Sequence, residues 1–216
     1  MTYRAVIFDM DGVLADSEPA FFDAVNLTLE STGKQVAWDA YQRLLGTSVE
    51  VTWTEVLKML ALPIEIDAYL PRFNEVLLDC LRQPRAPLPG VIAVIDELDR
   101  RNVPFAVATS SIRPWFDAVM ESVGLTGRFA VSVTADMIQH PKPAPEIYLR
   151  AAELLGVPPF TCIAVEDTIP GVASAKAAAM YAIHVMASST ALPPIRESDR
   201  VIETLLEFPF QLVGKV

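Results

Sequence analysis

Four short stretches of this sequence carry acids, hydroxyls and a lysine at spacings suited to chemistry. Asp9-Met10-Asp11-Gly12 sets two carboxylates two residues apart, and Thr109-Ser110-Ser111 gives consecutive hydroxyls. Lys142 stands between Pro141 and Pro143, which restrict the backbone on both sides, and Glu166-Asp167-Thr168 pairs two more carboxylates. A divalent cation such as magnesium takes one or two carboxylates, water and substrate oxygens in an octahedron. Hydroxyls, backbone N–H groups and a lysine hold phosphoryl oxygens. Each stretch alone has an ordinary structural explanation: a polar loop opening, a helix N-cap, a solvated lysine, or acids placed favourably before a helix. Four together, in order, are much harder to explain that way.

The elements that must position them are legible as strands. Ala5-Val6-Ile7-Phe8 is a short β-branched and aromatic run that stops at acids and Gly12, the pattern of a buried strand entering a loop. Runs of the same type cover 105–109, 130–134, 161–165 and 182–186. Helical spacing of apolar residues marks 91–101, 115–124, 146–156 and 171–180, with Gly124 and Gly156 placed where a helix end favours a left-handed residue. Strands alternating with helices predict an α/β fold with a doubly wound parallel sheet, whose ligands gather at the carboxyl ends of the strands. All four stretches fall after strands of this set.

The region 16–85 breaks the rhythm. Its patterns at 21–33, 40–46, 49–61 and 66–82 are all helical, and the proline-rich segment 83–90 closes it as a linker would. The expected organisation is therefore an α/β core of 1–15 and 86–216, with an α-helical insert of 16–85.

Composition narrows the function. The chain of 216 residues, 52% hydrophobic and 20% charged, is of ordinary globular type, and its net charge of −10 argues against a nucleic-acid or anionic-membrane surface. A phosphorylated substrate would be repelled by that overall field, so a local cationic site must attract it. Cys80 and Cys162 have neither metal-site spacing nor the arginine of a Cys-x5-Arg phosphatase loop, since Ala86 and Thr168 stand there. Both read as reduced, buried thiols. The N-terminal run is interrupted by acids, unlike a secretory signal, and no apolar run reaches membrane-spanning length, which makes the cytoplasm the expected location.

Taken together, the four stretches resemble the four motifs of the haloacid dehalogenase superfamily over nearly the whole chain. Asp9-Met10-Asp11-Gly12-Val13 resembles its DxDG[TV] loop, Thr109-Ser110 its second motif, Lys142-Pro143-Ala144-Pro145-Glu146 its third, and Glu166-Asp167-Thr168-Ile169-Pro170-Gly171 its fourth. The helical insert directly after the first motif resembles the small cap of the subgroup containing β-phosphoglucomutase and phosphoglycolate phosphatase. The resemblance implies a magnesium-dependent phosphatase acting on a small phosphorylated metabolite. Asp9 would be the nucleophile that forms an aspartyl phosphate, and Asp11 the general acid and base. Magnesium would be held by Asp9, Asp167 and the backbone carbonyl of Asp11, with Glu166 joining directly or through water. Thr109, Ser110 and Lys142 would hold the phosphoryl group, and Glu18, Arg43 and Thr47 of the cap would face the leaving group.

Asp11 itself points to phosphate esters, because the superfamily's dehalogenases and phosphonatases lack this second acid and its ion-pumping ATPases carry Thr. A phosphosugar mutase is the main alternative. Relatives of that mutase carry a His in the first cap helix and an Arg after a cap Gly-x-Ser, whereas this chain reads Ser17-Glu18-Pro19-Ala20 and Leu45-Gly46-Thr47-Ser48-Val49-Glu50. Arg43 and Arg72 are the substitutes available for binding a second phosphate. A non-catalytic binding module is a further alternative, disfavoured because an unused carboxylate cluster is self-repelling. Sugar phosphates, phosphoglycolate and nucleotide monophosphates all stay open as substrates. His140 and His184 read as structural.

Overall fold

A computed structural model of the protein describes residues 2–45, 47–186 and 193–214. The chain divides into two compact units, one formed by Met1–Asp16 with Pro84–Val216 and the other by Ser17–Gln83. In chain order the regular elements are β1 (Ala5–Phe8), α1 (Glu18–Leu29), α2 (Trp38–Tyr41), α3 (Val49–Met59), α4 (Ile66–Leu81), α5 (Val91–Arg101), β2 (Phe105–Ala108), α6 (Arg113–Ser122), β3 (Val131–Val133), α7 (Glu146–Leu155), β4 (Cys162–Glu166), α8 (Ile169–Ala177), β5 (Tyr181–Val185) and β6 (Arg200–Ile202).

The first unit is a six-stranded sheet in the order β3-β2-β1-β4-β5-β6, parallel throughout. β1, β2 and β4 are buried at every residue, which is why they read as unbroken apolar runs rather than alternating ones. One face carries Ala5, Ile7, Ala106, Ala108, Cys162 and Ala164 against α7 and α8. These small side chains let the two helices sit close to the sheet. The chain proceeds from β1 outward through β2 to β3, then returns to lay β4 on the other side of β1, so the strand order reverses between β1 and β4. That reversal opens a crevice at the carboxyl ends, where the acids lie.

The α/β expectation holds, with two local differences. β6 escapes sequence reading because it is a three-residue edge strand, exposed at Arg200 and Val201. Glu166, expected just past its strand, is instead the last residue of β4.

The second unit is helical among its described residues. α1 packs along α4, and its interior gathers Trp53, Phe73, Leu57 and Leu77, with Trp53 edge-on to Phe73 at 5.4 Å. The pattern at 40–46 does not form one helix: α2 is a single turn, and Gln42–Leu44 tightens into a 3-10 turn. Gly46, part of the stretch compared above with the mutases, lies outside the described residues. Both strands of the connection are tied down within the first unit. Leu88 N–H donates to Leu14 O at 3.0 Å, and the Arg85 guanidinium to Asp16 O at 3.2 Å. Among the described residues no helix is long and apolar enough to cross a membrane.

Candidate active site

Asp9 continues β1 by one residue, its N–H donating to Val165 O at 2.9 Å, so its side chain emerges at the crevice between β1 and β4. The loop then turns sharply: Leu14 N–H returns to Met10 O at 2.8 Å, and Gly12 N–H to Ala15 O at 2.8 Å. Gly12 has φ of +75°, and a Cβ there would stand 2.0 Å from Asp167 Oδ2. Both facts require glycine and press the loop after β1 against the acid after β4. Gly171, in the first turn of α8, performs the equivalent service for Glu166, whose carboxylate a Cβ would meet at 2.0 Å.

Lys142 arrives from the loop between β3 and α7, with its side chain 5% exposed. Its ammonium lies 3.0 Å from Asp9 Oδ1 and donates to Glu166 Oε1 at 2.6 Å and to Ala108 O at 3.1 Å. Glu166 is wholly buried, and its Oε2 accepts from Asp167 N–H at 3.2 Å and from the Thr168 hydroxyl at 3.1 Å. Thr168 also caps α8, accepting from Gly171 N–H at 3.1 Å. Beside β2, Thr109 Oγ1 accepts from Ser111 N–H at 3.0 Å, which leaves the Thr109 hydroxyl proton to donate elsewhere. The Ser111 hydroxyl donates to Asp11 Oδ2 at 3.0 Å.

Asp9, Glu166 and Asp167 are all buried and each offers an oxygen within 4.8 Å of the others. Three carboxylates facing one ammonium leave two negative charges, the complement of a divalent cation. The Asp9 carboxyl bears this out: burial pushes its pKa up to about 7, helped by Glu166 and Asp11 and opposed by Lys142. A further positive charge is what such a group needs to stay ionised. The donor set therefore fits a hard cation of the magnesium type. Burial pulls the Lys142 ammonium down, but Asp9 and Glu166 outweigh it and hold the lysine firmly charged.

Of the residues named from sequence, Asp9, Asp11, Thr109, Lys142, Glu166 and Asp167 come from loops and strand ends of the α/β unit. Ser110 is exposed, and the neighbouring Ser111, not singled out individually from the sequence, is the hydroxyl that reaches Asp11. Tyr148 was also missed. Its phenol donates to Glu166 Oε1 at 2.7 Å, and the signal for it was a tyrosine on the buried face of a helix, whose hydroxyl demands a partner.

Glu18, Arg43 and Thr47 belong to the helical unit. Glu18 opens α1, and its charge, after burial, raises the Tyr41 pKa. The Thr47 hydroxyl donates to Leu44 O at 2.7 Å, and Arg43 is exposed. His140 is an exposed partner of Glu146 at 2.7 Å. His184 is buried in β5, where Nδ1 accepts from Ile195 N–H at 3.2 Å.

Comparison with known proteins shows the family. A family model described as haloacid dehalogenase-like hydrolase matches residues 3–179. The chain is 32% identical over 183 residues to a phosphorylated carbohydrates phosphatase of Thermotoga maritima, with 84% of each covered. It is 35% identical over 185 residues to the Arabidopsis thaliana protein Suppressor of Quenching 1, chloroplastic, covering 84% of this chain but only 18% of that longer protein. Among solved structures, that of CbbY from Rhodobacter sphaeroides in complex with phosphate superposes with a TM-score of 0.81 at 26% identity, covering 96% of this chain and 97% of that one. With its sheet, its insert after the first strand and its four polar stretches, this chain belongs to the haloacid dehalogenase-like hydrolases.

Proposed function

We propose that this phosphatase hydrolyses a small phosphorylated carbohydrate, with magnesium, through an aspartyl phosphate on Asp9. The observation that carries the reading is Asp9 itself, a buried carboxylate at the strand-order reversal, 3.0 Å from a buried lysine and within reach of two further acids. The similarity to a phosphatase of phosphorylated carbohydrates supports the substrate class.

In the first step a carboxylate oxygen of Asp9 attacks phosphorus as the bond from phosphorus to the sugar oxygen breaks. Asp11 gives its proton to that departing oxygen. In the second step Asp11 takes a proton from water, which attacks the same phosphorus and releases Asp9 and inorganic phosphate. The Ser111 hydroxyl, donating to Oδ2, holds the Asp11 carboxyl in place for these proton transfers. Lys142 and the Thr109 hydroxyl hold phosphoryl oxygens whose charge rearranges in the transition state. Asp9 and Asp167 would hold the metal, with the Asp11 backbone carbonyl and Glu166 beside them. When bound, magnesium supplies positive charge against the phosphoryl oxygens and keeps the carboxylates ionised. On this reading the helical unit is the cap, with Glu18, Arg43 and Thr47 as candidates for choosing the sugar, and the free Cys80 and Cys162 fit a cytoplasmic enzyme.

The test is release of inorganic phosphate from a panel of sugar phosphates, phosphoglycolate and nucleotide monophosphates. Turnover should be greatest on a sugar phosphate, stop with EDTA and return with magnesium, with calcium a poor substitute. Full turnover in metal-free buffer would contradict the metal reading. Isomerisation of a sugar phosphate without phosphate release would make the protein a mutase.

A further inference from the structure

Glu166 Oε1 accepts from two donors at once, the Lys142 ammonium at 2.6 Å and the Tyr148 phenol at 2.7 Å. Tyr148 lies on the face of α7 that packs against the sheet, fully buried beside Ile147, Ala151 and Ala152. The Lys142 ammonium also stands over its ring, 5.3 Å from the centroid. Two of the ammonium's three N–H groups are committed to Ala108 O and Glu166 Oε1, which leaves the third for the side where Asp9 lies at 3.0 Å.

We propose that Tyr148 is a positioning residue: its phenol fixes Glu166 Oε1, and that oxygen fixes where the Lys142 ammonium stands relative to Asp9. Oε2 stays anchored by Asp167 N–H and the Thr168 hydroxyl, but without the phenol Oε1 keeps only the lysine and can tilt about that anchor, because the terminal torsion of glutamate is broad. The lysine, held also by Ala108 O, shifts with Oε1 relative to Asp9. A phenol's ordinary pKa of about 10 keeps the proton on Tyr148 near neutral pH, so it acts there as a donor. Its function is orientation.

The catalytic consequence rests on the phosphatase reading, and Tyr148→Phe tests it by removing one oxygen while keeping the packed ring. With magnesium and p-nitrophenyl phosphate, kcat should fall about tenfold, the lower end of what outer-shell partners cost, with KM changed less than about threefold. A purely structural role would move stability and leave kcat alone. Because the effect passes through Lys142, adding Tyr148→Phe to Lys142→Ala should lower kcat less than about twofold further. Wild-type kcat in Tyr148→Phe, or an undiminished tenfold loss in the Lys142→Ala background, overturns the proposal. If the wild-type protein turned over no phosphate ester, the phosphatase reading would be what failed. The link would then be judged by urea unfolding of the same four proteins. Unfolding constants that differ from independence by about fivefold or more support it, and strictly independent ones overturn it.

Discussion

The α/β unit buries charged side chains, which the helical unit, among its described residues, keeps at the surface. In the first, Asp9, Glu166 and Asp167 are buried at the ends of β1 and β4, the Lys142 side chain reaches them from the loop before α7, and charged groups hold one another across long stretches of sequence. In the second, the ion pairs lie one helical turn apart on exposed surface, as in Lys58 with Glu55 and Arg72 with Glu75. Buried charge costs several kcal/mol per ion to desolvate, so it persists where geometry is tightly specified and a ligand can use it. Exposed charge costs little and specifies little. On the proposed mechanism the reaction chemistry belongs to the α/β unit, and the helical unit, whose interior is Trp53, Phe73 and Leu77, is free to vary its surface for substrate choice.

The hardest test of that division is the nucleophile. Asp9→Asn keeps the shape of the side chain but cannot attack phosphorus, so turnover should fall by at least about 10⁴-fold while the far-UV spectrum stays native. Appreciable activity in a well-folded Asp9→Asn protein, measured by phosphate release, would remove the covalent mechanism. Next in size is Lys142→Ala. Loss of one preorganised contact to a phosphoryl group costs about 10²–10³ in kcat. Stability should fall too, because Glu166 and Asp9 lose the ammonium they face, and breaking a buried pair costs about 3–5 kcal/mol unless a carboxyl takes up a proton. The Asp9 carboxyl, already pushed up to about 7, is the group placed to do so, which puts the expected loss at the lower end. Denaturant unfolding at neutral pH measures it.

Much of this arrangement is legible in the sequence, for identifiable reasons. β1 is a four-residue apolar run ended by acids, and α5 repeats Val91, Val94, Ile95 and Leu98 on one buried face, so periodicity alone finds both. The acids and lysine that meet in the structure follow predicted strands, and a parallel sheet must bring such ends together. What stays hidden depends on details that periodicity does not carry. β6 is too short to make a pattern. The 40–46 segment looks helical because Tyr41 and Leu44 are both buried at a spacing of three, which a 3-10 turn satisfies as well as an α-helix. Ser110 and Ser111 cannot be ranked by type, because which hydroxyl faces Asp11 depends on the turn after β2. Tyr148 reads by its apolar neighbours as a core residue, and its hydrogen bond to Glu166 depends on how α7 packs against the sheet.

The smallest expected effect is the sharpest control on the comparison, since it asks whether a lysine matters merely by being a lysine. Lys58 sits in the last turn of α3 and pairs with Glu55 at 2.7 Å, with side chains 52% and 40% exposed. Three features limit its worth. The pair is solvated and screened by salt, the side chain loses rotamer freedom in making it, and glutamate and lysine three residues apart gain only about 0.2–0.5 kcal/mol. Its position near the helix C-terminus adds a favourable dipole interaction of about 0.3–1 kcal/mol at low salt. Alanine returns part of both through its higher helix propensity. Lys58→Ala should therefore change stability by less than about 1 kcal/mol and leave kcat within twofold of wild type, with any stability loss shrinking as salt is added. A loss of turnover on the scale of Lys142→Ala would mean that charge in the helical unit takes part in the reaction itself, and the division between the two units would have to be redrawn.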